Sequence, residues 1–155
     1  MMKALLRPLA LLALFSGLVL CMGSFTFLYG EGYSYALKDP KACMNCHVMN
    51  HQYESWLHSG HHHVATCNDC HLATGMFSKW ISKARNGWNH SLAFTLDNYE
   101  KPIKIKPFNL EILQDNCVRC HQTLVTDAIL IPSGGSNQAQ SCIHCHRGIG
   151  HMPLQ

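Results

Sequence analysis

Residues 43–47 read CMNCH, and the same spelling, C-x-x-C-H, returns as CNDCH at 67–71, CVRCH at 117–121 and CIHCH at 142–146. Eight of the nine cysteines fall in these four segments. The first two motifs start 24 residues apart and the last two 25 apart, with 50 residues between the second and the third. The chain therefore reads as two doubled units, 43–71 and 117–151, joined by a longer insert.

Two thiols at this spacing form thioethers with the vinyl groups of a porphyrin, and the adjoining imidazole reaches the iron, which is how c-type haem is attached. Two C-x-x-C pairs could instead build a tetrathiolate zinc site. Zinc does not account for the histidines: scattered at their overall frequency, they would follow all four motifs with a chance on the order of 10⁻⁵. The sequence thus predicts four covalent haems c, held by Cys43 and Cys46, Cys67 and Cys70, Cys117 and Cys120, and Cys142 and Cys145. His71, His121 and His146 follow as proximal ligands.

Large apolar residues thin out after residue 30, too few for an ordinary core. Porphyrins would fill that space. With roughly 31 residues available per haem, separate protein pockets cannot be built and the haems must pack on one another. Closely packed haems move electrons, and the surrounding chain sets their spacing, ligation and solvent access. The formal charge of +3 belongs to the bare chain. Haem propionates would carry it to about −1 when oxidised and about −5 when reduced. A nucleic-acid partner has no support. No phosphate-cradling glycine loop, nucleophile motif or C-x-x-C-K segment is present.

The stretch PLALLALFSGLVLCMGSFTFLYG, residues 8–30, carries no charged side chain. About 20 apolar residues suffice to cross the bilayer as a helix. Lys3 and Arg7 precede it, so the N-terminus is expected in the cytoplasm and residue 31 onward in the periplasm, as a single-pass protein of the cytoplasmic (inner) membrane. A cleaved signal peptide would have a shorter apolar region and a small-x-small site, which is not found. The expected organisation is an anchor at 1–30 and a haem domain at 31–155. The fold class is mainly α with much irregular structure: one N-terminal transmembrane helix plus a multihaem cytochrome c domain with four closely packed haems.

Sixth ligands must come from His51, His58, His61, His62, His63, His90, His144 or His151, from a partner chain, or not at all. HHHVATC, residues 61–67, is the densest source, and one or two of its three histidines can face iron. His144, between two cysteines, is expected to be exposed. Met49 follows its motif at H-x-M; by itself it is either core filler or a thioether ligand to the first iron.

Within the insert, apolar residues at 76, 77, 80, 81, 84, 88 and 92 predict a helix over 75–95 with Thr74 as its cap. Lys83, Asn86 and His90 share one face of it, and Phe77, Trp80, Ile81, Ala84, Trp88 and Leu92 another. Such a helix either lies in the membrane interface or packs its apolar stripe on haem below a solvated basic face. KPIKIKP, 101–107, reads as an extended connector, and SGGSNQAQS, 133–141, as a flexible polar loop.

The anchor, CMNCHVM, the three further motifs and the terminal CIHCHRGIGHM together resemble the NapC/NirT family of membrane-anchored quinol dehydrogenases, and within it the small tetrahaem subunits of periplasmic cytochrome c nitrite reductases. The likeness covers essentially the whole chain. It implies that Met49 binds the first iron with His47 displaced, and that His62 and His151 are distal ligands in the other pair. It also implies that the second haem, on His71, takes a lysine from the catalytic nitrite reductase subunit. Menaquinol would be oxidised at the first haem. Relatives carry a Lys and, seven residues on, an Asp beside that site; here Lys83 is kept and His90 replaces the Asp. His90 could accept a proton from quinol or ligate the first iron. The expected function is menaquinol oxidation with transfer to a periplasmic reductase, most directly nitrite reductase. The alternatives are a relay without a quinol site, or service to another reductase such as nitrate reductase.

Overall fold

The computed structural model describes residues 2–128 and 141–152. The polar stretch expected to be a loop at 133–141 lies almost wholly outside them. Regular structure among the described residues is helical throughout, in two compact units that divide between Leu37 and Lys38.

The first unit is helix α1, Met2–Tyr29, closed by a 3-10 turn over Gly32–Ala36. Its stretch Arg7–Tyr29 has a mean hydropathy of 2.1 and none of its apolar window is buried. Leu9, Leu12, Phe15, Val19 and Phe25 are all exposed. A helix apolar all round, with its large side chains exposed, is suited to lipid. Near its end the Thr26 hydroxyl is satisfied internally, Oγ1 donating to the Met22 carbonyl at 2.8 Å.

The second unit starts with a 3-10 helix over Pro40–Asn45 that carries the first motif. Asp39 caps it by accepting the Lys41 N–H at 2.9 Å, and proline at the first position loses no hydrogen bond there. A second 3-10 turn, His47–Met49, runs into α2, Asn50–Leu57. Trp56 Nε1 donates to the Ala65 carbonyl at 3.1 Å, drawing the histidine-rich loop back onto α2.

Helix α3, Cys67–His71, consists of the second motif itself. It is short, and its start is fixed by a capping box: the Thr66 N–H and hydroxyl both donate to Asp69 Oδ2, at 2.9 and 2.7 Å. Helix α4, Met76–Thr95, is the helix the periodicity predicts. Its cap differs from expectation. Gly75 stands there with φ +100°, where an added Cβ would lie 2.8 Å from Ser78 Oγ. The entry turn demands a backbone conformation that glycine adopts and threonine resists, so Thr74 lies one place outside, its carbonyl accepting the Ser78 hydroxyl.

Residues 101–106 are without helix, as expected of the connector, and Pro107 opens α5, Pro107–Ala128. The third motif lies inside α5, whose backbone leaves helical geometry at His121 (φ −106°, ψ 22°). The fourth motif forms α6, Cys142–Cys145.

Among the described residues Leu72 and Ile112 are the apolar side chains that are buried, whereas Ser55, Ser82, Lys83, Asn86 and Asn116 are buried polar ones. This inverts the usual preference for apolar side chains inside. Polypeptide alone does not make the core of the second unit.

Candidate functional site

The four motifs are fastened to one another in chain order. The Cys43 and Cys67 sulfurs lie within interaction distance of each other, which sets the first two attachment points side by side. Asn116 Nδ2, buried on α5, donates to the Cys70 carbonyl at 3.0 Å and to the Leu72 carbonyl at 2.9 Å, tying the second motif to the third. Arg119 adds a contact from Nη2 to the Asp69 carbonyl (3.3 Å). Gln114 Oε1 accepts the Cys142 N–H at 2.9 Å while its Nε2 donates to Cys142 Sγ at 3.1 Å, joining the third motif to the fourth. The long insert therefore does not part the two doubled units.

Imidazoles bound on opposite faces of one iron stand about 6 Å apart, given metal–nitrogen bonds of ~2 Å. Two pairs have this spacing. His71 and His151 have ring centres 6.1 Å apart and planes inclined by 16°. His61 and His121 are also 6.1 Å apart, inclined by 74°. His61 Nδ1 lies 3.3 Å from the Ile149 carbonyl oxygen, a contact that places the proton on Nδ1 and leaves the Nε2 lone pair for a metal. His62, which the resemblance singles out, packs its ring edge-on against Trp56 at 4.9 Å and against His63 at 4.5 Å. His146 and His144 are exposed.

At the first motif, α4 covers one side. The His47 ring meets Phe94 edge-on at 6.1 Å, and Met49 sits half-buried two residues further along. Lys83, only 5 % exposed, lies near the Cys43 sulfur and holds its ammonium 5.6 Å from the Trp80 ring centre. Ser82 Oγ accepts the Ala73 N–H at 3.3 Å, which pins α4 to the end of the second motif. His90 is close enough to His71 to act on its charge.

These surroundings favour neutral, ligating imidazoles. Burial, with His151 and His90 nearby, pushes His71 down to about 4, and burial likewise lowers His151. Desolvation lowers His90. Burial, reinforced by Lys79, lowers Lys83; the thiolate character of Cys43 opposes this, and Lys38 adds to it. A thioether at Cys43 would remove the opposing charge and leave the lowering. The Cys43 sulfur itself is held at about 7 by the Cys67 hydrogen bond.

The residues fit haem c. Each motif presents unbridged cysteines, imidazoles face one another at the spacing of an axial pair, and the missing apolar core calls for a bulky apolar filler. Among the described residues no three His, Cys, Asp or Glu side chains converge as a chelating zinc site needs. The profile of the NapC/NirT cytochrome c family, N-terminal region, matches residues 6–155.

The chain belongs to the NapC/NirT family.

Relatives agree with this membership. The chain is 42% identical over 144 residues to the cytochrome c-type protein NrfH of Wolinella succinogenes, covering 85% of this chain and 80% of that protein. It is 27% identical over 134 residues to the cytochrome c-type protein TorC of Escherichia coli K12, covering 71% of this chain but 34% of TorC. Among solved structures, it is similar to a chain of the cytochrome c nitrite reductase NrfHA complex bound to the HQNO inhibitor. There the TM-score is 0.63 at 25% identity, over 93% of this chain and 92% of that one. Membership of the NapC/NirT cytochrome c family makes the chain a haem c protein. The family's fold, a single apolar helix followed by an irregular helical cytochrome, is the one described above.

Proposed function

We propose that this chain is a membrane-anchored tetrahaem quinol dehydrogenase, which oxidises menaquinol and passes the electrons to a periplasmic partner, the catalytic subunit of cytochrome c nitrite reductase. The observation that carries the reading is that the four motifs are held together, Cys43 beside Cys67, Asn116 of α5 on Cys70 and Gln114 of α5 on Cys142, with buried Lys83 near the first of them. The similarity to a chain of the nitrite reductase complex over nearly its full length supports the partner. Helix α1, with Lys3 and Arg7 before its apolar stretch, supports an anchor with its N-terminus in the cytoplasm and the haem unit in the periplasm.

Menaquinol gives up two electrons and two protons on oxidation. Haems, when bound, supply one-electron acceptors at potentials set by ligation and burial. The chain's own residues deal with the protons. Lys83, lowered by burial and placed at the first motif, accepts one from the quinol hydroxyl, and His90, one helical face along, accepts or relays the other. Met49 is assigned to the first iron, with His47 turned onto Phe94. His71 with His151, and His121 with His61, would hold two of the irons. The resemblance gives the haem on His71 a lysine of the catalytic subunit as its sixth ligand; the His71–His151 spacing would offer that haem His151 from within the chain instead.

The test uses the full holoprotein in lipid nanodiscs. A reduced menaquinone analogue should bring up the ferrous haem bands, and a quinone-site inhibitor should block this. A Lys83→Ala, His90→Ala double variant reduced at the parent rate would refute the proposed pocket.

A further inference from the structure

Helix α4 is amphipathic in the reverse sense. Phe77, Ile81 and Trp88 are 80, 64 and 70 % exposed, and Trp80 and Leu92 on the same stripe are exposed as well. Ser82, Lys83 and Asn86, on the opposite side, are 1, 5 and 6 % exposed. A helix that covers a water-soluble domain does the opposite, apolar side in and polar side out.

The stripe faces away from the first two motifs. The contacts that tie α4 to them issue from the opposite side, from Ser82 to Ala73 and from Phe94 to His47, and Lys83 and His90 on that side are near enough to act on the charge of Cys43 and His71. Successive helical residues advance by about 100°, so Ser82, Lys83, Asn86, His90 and Phe94 share one side, and Phe77, Ile81, Trp88 and Leu92 point nearly opposite. Arg85 marks the border, with its guanidinium 3.9 Å from the Phe108 ring centre. The first two motifs thus lie on the side of the helix away from the stripe.

We infer that this stripe lies in the boundary between lipid headgroups and acyl chains, with α4 parallel to the membrane plane. Three features choose lipid as the occupant. Residues 30–37 alone connect α1 to the haem unit, and a stretch of that length reaches at most ~28 Å even fully extended. Tryptophans, here Trp80 and Trp88, favour the headgroup level, where an apolar ring meets a wet edge. Arg85 stands at the border of the stripe and α4 contains no acidic residue, so no carboxylate of the helix opposes an anionic lipid surface. The inference deepens the proposed function and rests on it for its purpose: a quinol dissolved in the bilayer would reach Lys83 sideways from the headgroup region, without leaving the membrane.

The test places the full holoprotein in nanodiscs of phosphatidylethanolamine and phosphatidylglycerol doped with a lipid bearing a photoreactive diazirine in its acyl chain. Illumination should attach lipid to peptides containing Phe77, Ile81 and Trp88 as well as to α1. Phe77→Gln with Trp88→Gln should lower the α4 yield by about five-fold or more while leaving α1 labelling and haem content per chain unchanged. Labelling confined to α1, or undiminished α4 labelling in the double variant, would overturn the inference. Labelling is read without quinol, so failure of menaquinol oxidation alongside the expected adducts would count against the proposed activity and leave the membrane contact standing.

Discussion

The imidazoles of His71 and His151 lie nearly parallel, with 16° between their planes and 6.1 Å between their centres. The one closes the second motif and the other follows the fourth, so a single axial pair would fasten the last segment of the chain to the second haem. Removing His151 should open that haem: His151→Ala is expected to gain a high-spin ferric signal by EPR. His61→Ala should do the same for the third haem. His62→Ala should leave the low-spin signals intact, because its ring is spent on Trp56 and His63.

Met49 and His47 make opposite predictions. His47 is exposed and edge-on to Phe94, so His47→Ala should keep haem content and the spectrum of the first haem. Met49→Ala should change the first haem's EPR signal and lower its reduction potential, since thioether ligation raises potential. Redox titration followed by optical absorption separates the two variants.

Much of this site was legible because covalent chemistry is spelt locally. Cys43, Cys46 and the six cysteines that follow announce haem by spacing alone, and α4 is written in its 3.6-residue period. What depends on distant backbone was not legible. His61, His62 and His63 differ only by successive turns of the chain, and the contact that distinguishes His61, with the Ile149 carbonyl, comes from 88 residues away. Asn116 and Gln114 look like ordinary polar positions on a helix until α3 and α6 are set against them. Gly75 rather than Thr74 begins α4 because the entry turn selects for φ, which side-chain capping rules do not register.

Lys83 gives the pH dependence a sign. Burial lowers it from the ordinary lysine value of 10.5, so its neutral, proton-accepting form grows in at lower pH than for a solvated lysine. Initial rates of haem reduction by a menaquinol analogue should therefore rise with pH between about 6 and about 9. Lys83→Arg keeps the charge but cannot take a proton, and should flatten that rise with a rate loss on the order of 10²-fold. His90→Asp, which restores the carboxylate of the family's pattern, should retain more activity than His90→Ala.

Asn116 is the last test, because it distinguishes a brace from a filler. Its amide satisfies two carbonyls, those of Cys70 and Leu72, and its oxygen accepts from Arg119 Nε at 3.3 Å. The side chain is buried, so water cannot replace the amide in Asn116→Ala, and carbonyls left without donors should cost about 2 kcal/mol. For a unit of this size that corresponds to roughly 5 °C in melting temperature, measured on the holoprotein by far-UV circular dichroism. Asn116→Leu restores the volume but not the donors. If hydrogen bonding is what joins the second motif to the third, the leucine variant melts as early as the alanine one; recovery of the parent melting temperature would make Asn116 a matter of packing instead.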